Sequence, residues 1–427
     1  MSESALPDNV LGRVRKIRKQ GKITFLEVTR MDGVSMQCVC VGSAKSQADN
    51  LSNHSVIEMI GNMVESLVRV DSVDIHDREF VVLGLSVVST ASELPIQPSD
   101  VCLNDGDGVH RHNRYDNRVL DLRAPRNREI MRNKSKIVRG FCAHLDDLGF
   151  SQIFTPKLLG TPSEGGCEVF ELDYFNQKAY LSQSPQLHKQ MAICADIGNV
   201  YEVAPAFRAE SSLSKRHLTE FISLDLEMRL TVMSDLIELI DDLLLNMSLR
   251  MDGKAPFPRI TYPEAIQMLQ DRGIDIGPLD SMSGEHEKLL GRVVKENTGS
   301  DVFYLLYFPK TQRPFYTHPY RDGLVGKLPK LNAPSDHYSL GFDVIFKGRE
   351  ISSGAMRIHN YDDLIEECNN RGMKCELLRD YLDSFKYGVY PHGGCAFGLE
   401  RLITLSENLE NIRDGSMFPR DPERLRP

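Results

Sequence analysis

Apolar positions along this chain change period more than once. Between residues 10 and 88 they fall in short alternating runs, VLGRVRKIR, KITFLEVT, SMQCVCVG, SLVRVDSVDI and REFVVLGLSVV, and a period of two marks strands. Turns are expected at Gln20-Gly21, Asp32-Gly33 and Val41-Gly42-Ser43, with a helix over Asn50 to Met63. Five strands with such a connection fit a small Greek-key barrel of the OB type. Ser92 to Asp105, polar and carrying Pro95 and Pro98, reads as a linker. Beyond it the period lengthens. Ile130, Met131, Ile137, Phe141, Leu145 and Leu148 recur at helical spacing up to Gly149, and a strand from Phe150 to Pro156 follows. Leu230 to Leu249 is an apolar helix, residues 253–300 carry further helices, and Asp301 to Phe308 reads as a buried strand.

One stretch breaks the rule that strands hide apolar residues and expose simple charge. In FRAESSLSKRHLTEFISLDLEM, Phe207 to Met228, two apolar-patterned segments flank a Ser-rich basic turn, as in a hairpin. Arg208, Glu210, Arg216, His217, Glu220, Asp225 and Glu227 lie among positions of buried type. Charges placed so must pair, because an unpaired buried charge is costly. Arginine suits phosphates and carboxylates suit amines and metal ions.

Composition narrows the setting. At 427 residues there is room for two or three domains, and no run reaches the length of a membrane span. The first residues show neither a secretory pattern nor an Arg-rich presequence, so a cytoplasmic protein is expected. Nine cysteines are scattered, and Cys38-x-Cys40 lacks zinc spacing, which points to reduced core thiols. The net charge of −9 argues against a surface generally coated by nucleic acid, though not against local basic patches. Arg13, Arg15, Lys16, Arg18, Lys19 and Lys22 form one such patch on the first hairpin. It is either a charged edge strand or a platform for single-stranded nucleic acid. No G-x-G-x-x-G or Walker A sequence occurs, so nucleotide binding of Rossmann or P-loop type is not indicated.

FRAE followed by RHLTEF and LDLEM resembles the second signature motif of class II aminoacyl-tRNA synthetases, closest to the aspartyl subgroup of archaeal and eukaryotic type. The helix and strand over residues 130–156 resemble motif 1, and YPHGGCAFGLERLITL, Tyr390 to Leu405, resembles motif 3. The resemblance implies an α+β architecture: an OB-fold anticodon-binding domain over 1–100, a linker over 101–116, and over 117–427 a catalytic domain built on an antiparallel sheet flanked by helices. It implies a homodimer joined through motif 1, with no membrane attachment.

It also implies a site. ATP falls to Arg208, Glu210, Arg216, His217, Phe221, Glu350 and Arg401, with Arg208 and Arg401 as the catalytic charges. Phe221 would stack on adenine, and Mg²⁺ would be held by Asp343, Glu350 and Ser353. L-aspartate falls to Glu164 of the SEGG loop, Gln186 and Lys189 of QSPQLHK, Asp225, Ser353, and Arg357 of SGAMRIH. Lys189 and Arg357 would grip the side-chain carboxylate while Asp225 holds both cations in place. In the barrel, Phe25, Gln37 and Glu79 would read the tRNA anticodon. GGCAFG departs from the usual motif 3 wording and suggests that Cys395 and Ala396 narrow the floor of the amino-acid pocket. The implied function is ATP-dependent activation of L-aspartate and its transfer to tRNA-Asp. An asparaginyl-tRNA synthetase and a catalytically silent, RNA-binding paralogue are the alternatives.

Overall fold

The computed structural model describes residues 7–101, 108–161 and 169–426, and the chain divides into two compact units, Met1–Gln97 and Pro98–Pro427. In the first, β1 (Asp8–Gln20), β2 (Ile23–Arg30), β3 (Ser35–Val41), β4 (Val56–Glu65) and β5 (Arg78–Ser89) close into a barrel in the order β1-β2-β3-β5-β4, with a short helix α1 (Gly42–Ala48) after β3. Leu26, Val28, Met36, Ile57, Met59 and Phe80 fill it. Cys38 and Cys40 point inward as free thiols, and burial pushes the Cys40 thiol up to about 12.

Two expectations for this unit are corrected. Asn50 to Met63 is not a helix, because its second half belongs to β4, with Ile57, Met59 and Gly61 inward and Glu58 and Ile60 outward. Gly61 reflects close strand approach, since a Cβ there would lie 2.1 Å from the Val81 carbonyl oxygen. The SLVRVDSVDI run is a loop rather than a strand. Its Leu67 and Val68 are exposed, and Asp74 ties the loop to the Ser35 amide and hydroxyl at 2.7 and 2.6 Å. Alternation supplies a face, but a strand also needs a partner.

The second unit begins with α2 (Arg111–Asp116), α3 (Arg118–Asp121) and α4 (Pro125–Asp147). Residues 111–116, assigned to the linker by sequence, are thus helical, and Arg114 and Tyr115 of α2 are buried. Ile130, Ile137, Phe141 and Leu145 form the buried stripe of α4, and Gly149 ends it at φ +77°. The strand expected over Phe150 to Pro156 pairs only as β6 (Ser151–Gln152). Next come β7 (Leu158–Leu159), β8 (Glu171–Tyr174), β9 (Gln177–Leu181), α5 (Gln186–Cys194), β10 (Val200–Phe207), β11 (Glu220–Arg229), α6 (Met233–Asn246), β12 (Arg259–Thr261), α7 (Tyr262–Gln270) and α8 (Gly284–Thr298). β13 (Val302–Leu306), β14 (Gly341–Phe346), β15 (Arg349–Met356), α9 (Tyr361–Asn370), α10 (Arg379–Asp383), β16 (His392–Gly398) and α11 (Leu399–Ser406) complete it.

Among the described residues the main sheet runs β12-β13-β14-β15-β16-β11-β10-β6, antiparallel except at its two outer pairs. One face packs on α4, α6, α7, α8 and α11 in a single apolar core. On the other, α5, α9 and α10 gather a smaller apolar cluster around Leu187, Phe315, Tyr316 and Leu382. The polar residues of the central strands open on this second face.

Candidate active site

Strand β11 shows how the sheet sorts its residues. Leu224 and Leu226 enter the large core, while Ser223, Asp225 and Glu227 share the opposite face. Register extends this row, because Asp225 opposes Ala396, Ala396 opposes Ser353, and Ser353 opposes Asp343. The bend in β15 adds a fourth polar group. Ser352 pairs with Val344 but Glu350 pairs with Ile345, so Ile351 is an extra residue on the core side. This bulge returns Glu350 to the face of Ser353, three positions away, where strict alternation would oppose them.

At one end of the row the charges are fully enclosed. Lys189, on the first turns of α5, has no exposed surface, and its Nζ donates to Asp225 Oδ1 at 2.8 Å, Leu226 O at 3.2 Å and Cys395 O at 3.3 Å. Arg357 Nε donates to Glu227 Oε1 at 2.9 Å, and Nη2 reaches Glu227 Oε2, Gln186 Oε1 and Gly394 O. Gly394 is required here, since a Cβ would lie 2.3 Å from Glu227 Oε2. Burial raises the Glu227 carboxyl, but Arg357 and Lys189 outweigh it and hold the pKa below its ordinary value. Burial keeps His392 neutral by taking its pKa down to about 4.

This arrangement corrects the expected grip. Asp225 holds Lys189, whereas Arg357 is held by Glu227, which the sequence reading did not single out as a ligand-end residue. The alternation LDLE was the signal that paired the two acids. Lys189 already serves three acceptors, and Asp225 Oδ2 is a buried oxygen with no hydrogen-bond partner among the described residues. Ala396 lines the cavity, but Cys395 lies in the core on the far side of the sheet. Glu164 lies outside the described residues.

The other end is open and more loosely paired. Arg208, Glu210, Arg216, His217, Phe221, Glu350 and Arg401, the whole set expected for ATP, line one cavity with Gln183, Ser353 and Gly398. The Arg208 guanidinium stands 5.5 Å over the Phe221 ring. Glu210 is 4.0 Å from both Arg208 and His217, Arg216 is 3.9 Å from Glu285, and Arg401 Nη1 is 3.3 Å from Glu350 Oε1. Burial lowers the His217 pKa, and Ser214 Oγ lies 2.7 Å from its Nδ1. Glu400 fixes the wall, accepting from the Ile222 amide at 2.9 Å and from Lys134 at 2.6 Å.

A second chamber, lined by Arg216, His217, Glu287, Arg349, Glu350 and Arg401, continues the first. Glu287, which sequence alone does not mark, has its pKa raised to about 7 by burial and by the charges of Glu350 and Asp343.

The three expected magnesium ligands do not converge on one open position. Arg313, missed in the sequence, donates from Nη1 to Ser353 Oγ at 2.6 Å and places Nη2 2.8 Å from Asp343 Oδ1, while stacking 3.6 Å over Phe308. Two of the three are thus occupied by a guanidinium, and burial raises the Asp343 pKa to about 6. Among the described residues no group of three or more His, Cys, Asp or Glu could hold a metal ion. Glu350 and Ser353 both line the cavity, but of the three expected ligands Glu350 alone is not engaged by Arg313. That fits a hard cation that takes one or two carboxylates and draws its other ligands from phosphates and water.

On the barrel, Phe25, Gln37 and Glu79 share one outer patch. Gln37 opposes Glu79 across β3 and β5, and its Nε2 donates to Glu79 Oε2 at 3.2 Å. Arg18 links them, donating from Nη2 to Gln37 Oε1 at 2.7 Å with its guanidinium 5.6 Å over Phe25.

Comparison with known proteins agrees with this geometry. Residues 110–422 match the family model for class II tRNA synthetases (D, K and N). The cytoplasmic aspartate–tRNA ligase 1 of Arabidopsis thaliana is 36% identical over 98% of this chain and 84% of its own length. The human cytoplasmic aspartate–tRNA ligase is 35% identical over 98% and 88%. Among solved structures, the aspartyl-tRNA synthetase of Entamoeba histolytica superposes with a TM-score of 0.85 at 31% identity, covering 99% of this chain and 90% of that one. The asparaginyl-tRNA synthetase of Pyrococcus horikoshii, solved with asparaginyl-adenylate, gives 0.84 at 28% identity, covering 99% and 96%.

Proposed function

This chain belongs to the class II tRNA synthetases and, within them, to the aspartate–tRNA ligases of eukaryotic type, and we propose how its residues divide that reaction. The enzyme activates L-aspartate with ATP and passes it to the 3′ end of tRNA-Asp. In the first step an aspartate α-carboxylate oxygen bonds to the ATP α-phosphorus and pyrophosphate leaves. In the second, a hydroxyl of the terminal adenosine bonds to the activated carbonyl carbon and AMP leaves. No side-chain nucleophile is needed, so catalysis is orientation and charge neutralisation.

The observation that carries the reading is the convergence of Arg208, Phe221, Glu350 and Arg401 on one cavity that ends at Gln183 and Ser353. Arg208 neutralises the α-phosphate, and Phe221 beneath it takes the adenine face. Arg216, His217 and Arg401 hold the outer phosphates, and Glu210 positions the adenine amino group or the tRNA end. Mg²⁺, when bound, supplies a positive charge shared among phosphate oxygens, and Glu350 would hold it. Arg357 presents its Nη1 edge to the aspartate side chain, while Gln186 and the partnerless Asp225 Oδ2 accept from the substrate ammonium. An asparagine side chain would instead turn an amide NH₂ toward the Arg357 guanidinium, setting donor against donor. The test is therefore ATP–pyrophosphate exchange with all twenty amino acids. Aspartate is expected to support it, with asparagine lower by about 10⁴-fold; exchange favouring asparagine would move the chain to the asparaginyl group.

Two partner readings accompany this. The Arg18–Phe25–Gln37–Glu79 patch suits a stacked, edge-read base, and we assign it to the anticodon. The end strand β6 runs into Phe154, 82% exposed, with Phe175 nearly bare on the β8–β9 turn. We assign this apolar edge to a two-fold homodimer, to be checked by sedimentation at micromolar concentration. An active, well-folded monomer there would refute it. The relatives are named as cytoplasmic, and we place this enzyme there too. No helix among the described residues is long and apolar enough to cross a membrane.

A further inference from the structure

The connection between β10 and β11 has no regular structure over residues 208–219, yet it carries Arg208, Glu210, Arg216 and His217. An irregular loop can aim charges reproducibly only if its backbone groups are held from outside. Here the support comes from the last stretch of the chain. At the apex, the Ile412 amide donates to Lys215 O at 3.0 Å and Arg413 Nη1 donates to Ser214 O at 3.0 Å. On the return, the Thr219 amide donates to Arg420 O at 3.0 Å, and Glu220 and Arg420 form an antiparallel bridge.

Arg413 is itself fixed. Its side chain is 8% exposed and pairs through Nε with Asp421, and Asn411 Oδ1 accepts from its amide at 3.1 Å. The same stretch is bolted to the body of the unit. Buried Asp414 accepts from Arg114 Nη2 at 2.9 Å and from the Tyr115 hydroxyl at 3.1 Å. Arg118 Nε donates to Met417 O at 2.9 Å, and Lys134 reaches Gly415 O at 3.1 Å.

We propose that Asn411–Asp421 is a brace for the nucleotide loop and that Arg413, which need not touch ATP, is a positioning residue for it. The inference rests on the assignment of this loop to ATP. One guanidinium joins the brace, at Asp421, to the loop apex, at Ser214. The Ser214 hydroxyl in turn accepts from the Arg216 amide at 3.1 Å and contacts the His217 ring. Releasing Ser214 therefore loosens the two groups aimed at the outer phosphates. Lys189 and Arg357 take their contacts from β11, β16 and α5, so the aspartate end is spared.

The experiment measures ATP–pyrophosphate exchange for the full chain and for Arg413→Ala, Arg413→Lys, Asp421→Asn and Arg216→Ala, with hydrogen exchange of the amides at 211–219. Arg413→Ala is expected to raise the KM for ATP about tenfold, leave the KM for aspartate unchanged, and speed exchange of those amides. Arg413→Lys, able to keep one of the two bonds, should fall between. A drop in kcat with both KM values unchanged, or loop amides exchanging as before, overturns the brace. A normal Arg413→Ala beside an impaired Arg216→Ala also overturns it and leaves the ATP assignment standing. An Arg216→Ala enzyme with an unchanged KM for ATP instead removes the ATP assignment itself. If Arg413→Ala does not fold, Arg413→Lys and Asp421→Asn carry the same readout, and unchanged KM values in both count against the brace.

Discussion

The two ends of the polar row on this sheet face handle charge in opposite ways. Where aspartate is expected, Lys189, Asp225, Arg357 and Glu227 are almost wholly buried and meet at 2.8–2.9 Å. Where ATP is expected, Arg208, Glu210, Arg216 and His217 are about one-third exposed and stand 3.9–4.0 Å from their partners. The first arrangement is assembled before substrate arrives and resists rearrangement. The second keeps its cations weakly committed, so that a triphosphate can take them over. Telling one small substituent from another calls for fixed charges, whereas a polyanion must be gripped and released each turnover.

The largest effect should come from breaking the enclosed end. Glu227→Ala leaves Arg357 buried without its carboxylate, which should cost about 3–5 kcal/mol in denaturant unfolding. Glu210→Ala, at the open end, should change stability by less than about 0.5 kcal/mol. Equal losses would dissolve the contrast. Next, Arg208→Ala and Arg401→Ala should each slow ATP–pyrophosphate exchange by about 10²–10³-fold with unfolding unchanged. A fall in stability as large as that at Glu227 would make them structural.

Titration should separate the ends in sign. His392, at about 4 when folded, contributes stability that is full above its unfolded pKa near 6.5 and is lost as pH falls toward 4. Glu287, at about 7 when folded, contributes stability that is full below about 4.5 and is lost as pH rises through 7. Each is worth on the order of 3 kcal/mol. His392→Gln should therefore flatten the acid limb of a stability–pH curve and Glu287→Gln the neutral limb, and a swap of limbs would reverse the assignment. Smallest is Phe25→Ala, expected to cost roughly 1–3 kcal/mol in tRNA binding while exchange stays normal.

Much of this is legible in the sequence alone. The hairpin around Arg208 and the buried stripe of α4 follow from period and turn residues, and the resemblance named the seven residues that the fold gathers around one cavity. What escaped has specific causes. The β4 strand was hidden because Gly61, needed for close approach, interrupts an otherwise alternating run. The loop at residues 66–77 alternates but pairs with no strand among the described residues. Arg313 and Glu287 reach the site from segments with no motif of their own, and only tertiary packing brings them to Ser353 and Glu350. The split of the two buried cations between Asp225 and Glu227 depends on which atoms face which, and spacing does not encode that.

The bulge at Ile351 makes the chemistry of this cavity a matter of chain length. If β15 slid by one residue to restore unbroken pairing, Glu350 would turn into the apolar core and the nucleotide chamber would lose the carboxylate left open to a metal ion. The guard against that slip sits outside the cavity, in the two-residue turn where Lys347 and Gly348 adopt φ of 49° and 69°. Such a turn tolerates no extra residue without changing the register of both its strands. An insertion or deletion in this hairpin, however conservative its residues, would therefore read out as an ATP defect, whereas most surface turns would absorb the same change silently.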